Sequence, residues 1–401
     1  MEETSFSGGE LAARARVDPE LIGRLVELGI LRPGDGEAPY GPGDVRRVRL
    51  VDACASAGLP LEGIGAAIAE GRLSLAFLDL LSLAGRPLTG TTYAELCAEQ
   101  DLPMALVQRV HEASGLGRPQ PGDPIHSLDR DLLGSAQLGR MLGLGDGVLI
   151  RIARVYGENL RRIAQAEPEF YHDHVEAPLL ASGMNERQMR EVASQMSDQL
   201  AAVVQKLLLA VYARHQERYT IDHLVSHIEL VVAEQPLHRP PAMCFLDLTG
   251  YTRLTEERGD RAAAALAASL ADLVEQVSLP HDGQPVKWLG DGVMFHFRQP
   301  GQAVVAALEM VERTPEAGLP EAHVGLHAGP VVFQDGDYFG RTVNLAARIA
   351  AHAGPGQVLV SDQVVAECGG GAVVFEPIGP VPLKGVADPV PLHRATRPPG
   401  G

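Results

Sequence analysis

The stretch that decides the fold of the C-terminal part of the chain is AMCFLDLTGYT, residues 242–252. Its first six residues, which end at Asp247, form a short apolar run that is typical of a buried strand ending on a carboxylate. The turn that follows contains Gly250 and has free backbone N–H groups. A carboxylate is a hard oxygen ligand for Mg²⁺ and such a turn binds phosphate oxygens, so the stretch indicates a metal-triphosphate site.

A second stretch, VKWLGDGVMF at 286–295, follows an Ala-rich helical pattern over 260–277. Its alternating segments on either side of Gly290 and Asp291 predict a hairpin with a tight turn at these two residues. The hairpin presents Asp291 beside the end of the first strand. Two carboxylates from neighbouring strands can hold two divalent ions.

A third stretch continues the pattern towards the C-terminus. GLHAGPVV, from residue 325, predicts a strand with a glycine kink, and residues 335–348, DGDYFGRTVNLAAR, predict a loop that runs into a helix. Asn344 and Arg348 are four residues apart and share one face of that helix. Packing alone does not explain a turn aspartate, an amide and a cation on one side of a pocket.

Together these motifs resemble, in order and spacing, the catalytic domain of class III nucleotidyl cyclases, over residues 237–397. The resemblance implies an α+β domain with a ferredoxin-like βαββαβ core, two divalent metal ions (Mg²⁺ or Mn²⁺) and the conversion of ATP to cyclic AMP. It also implies a role for each matching position. The metal ligands are Asp247, Leu248 and Asp291; the substrate-binding residues are Lys287, Asp337, Thr252 and Lys384; the catalytic residues are Asn344, for the ribose, and Arg348, for the transition state.

The identity of the base follows from hydrogen-bonding chemistry. Lys287 can donate to an unprotonated ring nitrogen and Asp337 can accept from an exocyclic amine, which suits adenine. Guanine presents the reverse pattern, so ATP is favoured and a guanylate cyclase is the alternative. In the family the metal carboxylates come from one subunit and the remaining groups from the other, so the resemblance implies a homodimer. Two positions depart from the family pattern, namely Trp288 and His323.

Composition limits the function of the whole chain. Its 401 residues include 34 Lys and Arg against 51 Asp and Glu, for a net charge of −17, and the basic residues do not cluster. Nucleic-acid binding is therefore not expected. The four cysteines lack the spacing of a zinc site or a disulfide framework. No apolar run is long enough to span a membrane and the N-terminus is acidic, so a cytoplasmic protein without a membrane partner is expected.

Residues 1–80 resemble the winged helix-turn-helix of MerR-type regulators, with short helices, a Gly29-Ile30-Leu31 turn and a DVRR helix that begins at Asp44. The usual basic recognition helix is replaced by Ile22-Gly23-Arg24-Leu25, so a protein-contact module is expected rather than a DNA-binding one. A transcription regulator that senses a nucleotide through a cyclase-like domain is the alternative from another class. The candidate DNA contacts would be Arg14, Arg16, Arg24, Arg46, Arg47 and Arg49.

Residues 90–235 read as an all-α regulatory and dimerisation domain, similar to the regions that precede soluble actinobacterial cyclases. Thr92 and Glu95 match a capping box, and residues 148–166, 186–217 and 221–234 predict three separate helices. The middle helix carries an apolar stripe sufficient for a bundle or dimer seam, and histidines concentrate in this region. We therefore hypothesise that it makes the activity pH-dependent. The stripe consists of Val203, Val204, Leu207, Leu208 and Val211; the histidines are His172, His174, His215, His223 and His227.

Overall fold

The computed structural model of the protein describes residues 6–34, 36, 39–75, 88–232, 240–368 and 373–398. The chain forms two compact units, Met1–Ile221 and Asp222–Gly401. The domain boundaries expected near residues 80 and 237 lie outside the described residues and stay predictions.

The N-terminal part of the first unit is a small helical cluster around a core that includes Leu11, Leu25 and Val48. Helix α1 begins after a capping box in which Ser7 and Glu10 exchange hydrogen bonds, and the Asp18 side chain caps α2. These side chains accept hydrogen bonds from backbone N–H groups of the first turn, where each helix begins. The four helices are α1 (Gly8–Ala15), α2 (Pro19–Glu27), α3 (Pro42–Ser56) and α4 (Leu61–Ala69).

The remainder of the first unit is helical with one small sheet. The capping box at Thr92 and Glu95 is confirmed. The expectation of an all-α region was wrong, because β1 and β2 pair antiparallel and bury Ile125 between helices. The elements are β1 (Leu88–Thr92), α5 (Tyr93–Glu99), α6 (Met104–Ala113), β2 (Pro124–His126), α7 (Asp129–Met141), α8 (Asp146–Tyr171), a π-helical turn (His172–Glu176), α9 (Ala177–Ala181) and α10 (Glu186–Val232).

Helix α10 corrects a further expectation. The sequence predicted separate helices at 186–217 and 221–234, but α10 is continuous from Glu186 to Val232. Residues 218–220, Arg-Tyr-Thr, contain neither Gly nor Pro, so the backbone hydrogen bonding has no reason to stop there. In the predicted apolar stripe, Val203 and Leu207 are each 58% exposed. A single chain therefore leaves this face of α10 largely uncovered.

The second unit contains a seven-stranded sheet in the order β10-β11-β9-β6-β3-β5-β4. All neighbours are antiparallel except β6 and β9. The four strands β6-β3-β5-β4, with helices after β3 and β5, have the ferredoxin-like βαββαβ arrangement, as expected. The strands are β3 (Ala242–Leu248), β4 (Gly283–Trp288), β5 (Gly292–Phe297), β6 (Ala322–Ala328), β9 (Val358–Ser361), β10 (Val374–Val381) and β11 (Val390–Thr396); β7 (Val332–Gln334) and β8 (Asp337–Phe339) form a separate hairpin. The helices are α11 (Tyr251–Arg258), α12 (Asp260–Ser278), α13 (Pro300–Glu316), α14 (Arg341–Ala350) and α15 (Asp362–Glu367), with a 3₁₀ turn at Leu279–His281.

The two faces of the sheet have different partners. Along β3, Cys244 and Leu246 belong to the main core with α12 and α13. Met243 and Phe245 belong to a cluster on the opposite face, where Ala346 of α14 also packs. Successive side chains of a strand alternate between faces, so Asp247 lies on the α14 face with Met243 and Phe245.

One helical stretch of the described residues, Ala262–His281, is long and apolar enough to span a membrane by length and composition alone. Within it, Leu270, Leu273, Val274 and Val277 are buried in the main core of the sheet. Packing against a sheet explains the apolar composition of this helix.

Candidate active site

Asp247 stands at the end of β3, between two neighbouring strands. Its register partners are Gly292 on β5 and His323 on β6. A Cβ atom on residue 292 would lie 3.1 Å from Asp247 Oδ1 and 3.1 Å from the Leu246 carbonyl oxygen. A side chain at residue 292 would crowd the Asp247 carboxylate, which would have to move by a few tenths of an ångström, so the glycine after Asp291 leaves space for the carboxylate.

Asp291 occupies the predicted tight turn. The Leu289 N–H donates to the Gly292 carbonyl over 2.8 Å, and Gly290 has a φ of 78°. The hairpin prediction is therefore confirmed. Burial raises the pKa of Asp247, and the negative charge of Asp291 raises it further, against the opposing effects of His323 and the Leu248 N–H.

The chemistry of these donors fits a divalent cation. Two carboxylates whose charges repel each other are neutralised when a hard cation binds between them, and both offer oxygen ligands. Leu248 follows Asp247 directly; its side chain has no donor atom, so only its backbone carbonyl is available as a ligand. In the described ranges, no group of three or more His, Cys, Asp and Glu side chains could hold a metal ion. Asp247 and Asp291 are thus the protein donors on which a metal site would depend.

His323 is a neighbour of the site whose place the sequence did not reveal. Its Nε2 lies 3.7 Å from Asp247 Oδ2, and its Nδ1 is 3.2 Å from the Thr249 hydroxyl oxygen. The sequence marked His323 only as a departure from the family pattern. The register of β3 against β6 places His323 beside Asp247. A single sequence does not reveal this register.

Lys287 and Asp337 meet although 50 residues separate them. Lys287 Nζ donates to Asp337 Oδ2 over 2.9 Å, with half of the lysine side chain exposed. In the sheet, Lys287 pairs with Met294, which pairs with Phe245, so all three share the α14 face with Asp247. The structure thus joins the two residues predicted to recognise the base, on the face that carries Asp247.

The segment that carries Asp337 is a hairpin rather than the loop expected from the sequence. Strands β7 and β8 pair antiparallel around Asp335 and Gly336, whose φ angles are 54° and 84°. Two consecutive positive φ angles at Asp-Gly define a type I′ turn. The Asp-Gly dipeptide is the feature of the sequence that indicates a hairpin at this point. The turn places Asp337 at the start of β8.

The other predicted site residues lie on further elements of the second unit. Asn344 and Arg348 are exposed on α14, on the same face, as expected. Within the part of the chain that the structure describes, neither makes a hydrogen bond or ion pair with Asp247 or Asp291. Lys384 is exposed in the turn between β10 and β11. Thr252 lies in the first turn of α11, and its side chain is outside the described residues.

Comparison with known proteins assigns this arrangement to a family. Residues 234–393 match the adenylate and guanylate cyclase catalytic domain, and residues 40–216 match the adenylate cyclase regulatory domain. The chain therefore contains an adenylate cyclase regulatory domain followed, later in the sequence, by a class III cyclase catalytic domain. It is an enzyme of the adenylate cyclase type. The matches do not describe a MerR-like winged helix, which stays a prediction.

Individual relatives agree with the family matches. The pH-sensitive adenylate cyclase MT1302 of Mycobacterium tuberculosis is 29% identical over 338 residues, which cover 79% of this chain and 82% of that protein. An adenylate cyclase of Streptomyces coelicolor is 31% identical over 265 residues, 64% of this chain and 66% of that protein. Among solved structures, adenylyl cyclase CyaB from P. aeruginosa aligns with 40% of this chain and 95% of its own, with 21% identity and a TM-score of 0.36.

Proposed function

We propose that the protein converts ATP to 3′,5′-cyclic AMP and pyrophosphate at a site that two copies of the chain share. The observation that carries this proposal is the Lys287–Asp337 ion pair, formed on the sheet face that also carries Asp247. The pair supplies one donor and one acceptor at the place where a base would lie.

Adenine fits this pair in detail. The Lys287 ammonium donates to an unprotonated ring nitrogen, and the Asp337 carboxylate accepts from the exocyclic amine. A guanine would set its own N–H against the lysine and its carbonyl oxygen against the carboxylate. Each of those contacts would leave a polar group unpaired or opposed, which costs binding free energy.

Asp247, Asp291 and the Leu248 carbonyl would hold the two Mg²⁺ or Mn²⁺ ions. When bound, these ions lower the pKa of the 3′-hydroxyl and offset the charge of the departing pyrophosphate. The protein's part is to keep two carboxylates close together in spite of their repulsion, and the Gly290–Asp291 turn and the missing side chain at Gly292 accomplish this.

The reaction forms one bond and breaks one. The 3′-oxygen of the ribose attacks the α-phosphorus, the bond from that phosphorus to the bridging oxygen of the β-phosphate breaks, and the hydroxyl proton leaves to solvent. Asn344 orients the ribose, and Arg348 stabilises the charge that develops on the α-phosphoryl oxygens. Lys384 and Thr252 contact the triphosphate.

Two copies are needed because, in the class III cyclases that the chain resembles, the metal carboxylates come from one subunit and the ribose and transition-state groups from the other. Asn344 and Arg348 have no polar contact to the carboxylate pair within the described residues, and α14 leaves both exposed. A second copy would bring its Arg348 to the Asp247 and Asp291 of the first. A symmetric dimer would then hold two equivalent sites.

Product identification tests the proposal. Purified protein is incubated with ATP or with GTP, each with Mg²⁺ and with Mn²⁺, and the product is identified by mass. We expect cyclic AMP from ATP, little product from GTP, and none from the Asp247→Ala variant. Failure to form a cyclic nucleotide from either substrate would refute the proposal, and a preference for GTP would make the protein a guanylate cyclase.

The transcription-regulator alternative is disfavoured by the contacts of the N-terminal arginines. Arg24 pairs with Glu27 and Glu62, Arg47 with Asp44, and Arg16 with Asp123. Arg49 donates to a backbone carbonyl. The carboxylates beside these cations offset the positive charge that would attract a phosphate backbone. A gel-shift measurement against random duplex DNA at low salt should give no complex.

Regulation by pH is a further part of the proposal. The rings of His223 and His227, one turn apart on α10, have centroids 4.5 Å apart. Protonation of both would place two like charges together next to Asp222, which pairs with Arg298. A relative of this chain is named a pH-sensitive adenylate cyclase.

The test of pH regulation uses the full chain. Activity is measured from pH 5.5 to 8 for the wild type and for the His223→Asn, His227→Asn double variant, with His393→Asn as the control. We expect a flatter profile for the double variant only. Parallel profiles for all three proteins would refute the role of these two histidines.

A further inference from the structure

The β7–β8 hairpin, which carries Asp337, is not a continuation of the main sheet. It pairs only with itself in the described residues and must be fixed by side chains. The imidazole of His296, on β5, stacks on the ring of Tyr338, with centroids 4.5 Å apart and an angle of 9° between the planes. Phe333 contacts Tyr338 as well, at 4.9 Å and 53°. His296 is thus a group of the main sheet that contacts the hairpin through Tyr338, which also packs against Met243 and Met294.

We propose that His296 is a positioning residue for base selection, which acts through Tyr338 on Asp337. This inference rests on the proposed function, because it concerns the recognition of adenine by that same site. It adds a residue that does not itself touch the nucleotide.

A short chain of contacts connects the imidazole to the carboxylate. The Tyr338 N–H donates to Asp337 Oδ1 over 2.9 Å, and Lys287 Nζ donates to Oδ2 over 2.9 Å. Both carboxylate oxygens therefore have fixed directions, one set by the backbone of the stacked residue. If Tyr338 shifts, the N–H shifts with it and the carboxylate turns away from the position where it accepts from an exocyclic amine.

The ring of His296 is suited to this position because it stays uncharged. Burial lowers its pKa to about 4, and the neighbouring Arg298 contributes in the same direction. At the pH of a cyclase assay the imidazole is neutral and offers a flat face to Tyr338. A phenylalanine can provide the same face, whereas an alanine cannot.

A purely structural role would lower stability and kcat without altering the choice between bases. A positioning role should raise the KM for ATP and reduce the preference for ATP over GTP, while kcat changes little. The distinction is measurable because the stack is linked to Asp337 through the Tyr338 backbone N–H, whereas within the described residues neither ring is bonded to the metal carboxylates.

The experiment compares full-length wild type, His296→Ala, His296→Phe and His393→Ala, a control at the far part of the sheet, with ATP and with GTP. For His296→Ala we expect the ratio of the two kcat/KM values to fall about tenfold, with kcat for ATP within about threefold of wild type. His296→Phe and His393→Ala should keep the wild-type ratio. Tyr338→Leu, which removes the other ring, should reproduce His296→Ala, and it serves as the test if His296→Ala does not fold.

Each possible result of this experiment either supports or overturns the inference. An unchanged base preference in His296→Ala or Tyr338→Leu, with an active wild type, would overturn it and leave the proposed function intact. A loss of preference equal in His296→Phe and His296→Ala would also overturn it, because stacking would then not be the cause. A wild type that forms no cyclic nucleotide would overturn the proposed function and this inference together.

Discussion

At the residue scale, the site depends on two like charges held side by side. Asp247 is half-buried and faces the charge of Asp291, and both effects raise its pKa. Without a cation these carboxylates cost stability, and with one they become its ligands. Activity and stability should therefore respond in opposite directions when one carboxylate is removed.

The Asp247→Asn variant tests this opposition. We expect cyclase activity to fall by about a hundredfold or more, because the amide is a weaker metal ligand. Without metal the melting temperature should not fall, because the repulsion is gone. Added Mn²⁺ should raise the melting temperature of the wild type and not that of the variant. Asp282→Asn, at an exposed position with a φ of 54°, is the matched control and should retain activity.

His327 gives a prediction about stability. Its Nδ1 lies 2.7 Å from the Ser361 hydroxyl oxygen, and burial, aided by Arg341, lowers its pKa to about 4 from an ordinary 6.5. Between pH 6.5 and pH 4 the unfolded chain binds a proton that the folded chain does not. The free energy of unfolding should therefore fall as the pH falls through this range, by about 2 kcal/mol between pH 7.5 and pH 5 from His327 alone.

The measurement uses the single tryptophan, Trp288, whose fluorescence reports the unfolding of the second unit in urea. His327→Gln should show a shallower dependence on pH than the wild type, because its amide does not titrate. Equal slopes for the two proteins would contradict the burial of a neutral His327.

At the scale of elements, α14 can pack closely against β6 because residue 325 is a glycine and has no side chain. A Cβ atom on Gly325 would lie 2.0 Å from the Ala350 backbone nitrogen and 2.5 Å from its Cα. Backbone atoms cannot move aside as a flexible side chain does, so the helix itself must shift. This helix carries Asn344 and Arg348.

Gly325→Ala should therefore damage both the fold and the site. We expect the free energy of unfolding of the second unit to fall by about 3 kcal/mol, and activity to fall further than the folded fraction explains. Gly301→Ala is the control: its Cβ would be 3.9 Å from the nearest atom, the Cys368 sulfur, and it lies in the first turn of α13. A Gly325→Ala protein as stable as the control would contradict the close helix–strand contact.

Local patterns predicted those elements that depend on local chemistry. The Gly290–Asp291 hairpin, β3 and the helix with Asn344 and Arg348 all follow from turn residues and periodicity. The β7–β8 hairpin had the Asp335-Gly336 signal but was interpreted as a loop, and α10 was divided although residues 218–220 contain no helix breaker. The positions of His323 beside Asp247 and of His296 beneath Tyr338 depend on strand register and on long-range contacts, which one sequence does not contain.

At the scale of the whole molecule, the exposure of apolar and catalytic side chains indicates that a second copy of the chain covers them. Leu207 on α10 and Phe333 on β7 are 58% and 63% exposed, and Arg348 on α14 is exposed as well. Apolar side chains at these positions and a divided set of catalytic groups have a common explanation in a homodimer. Cyclase activity should consequently depend on protein concentration at high dilution.

The central claim is that ATP is cyclised by residues from two chains, and complementation tests it most directly. Asp247→Asn and Arg348→Ala chains, each with a different affinity tag, are co-expressed, and the heterodimer is isolated through both tags. One of its two sites lacks both groups and the other is complete. We predict about a hundredth of the wild-type rate or less from either variant alone and about half of the wild-type rate from the heterodimer. A folded heterodimer no more active than its parents would contradict the shared site.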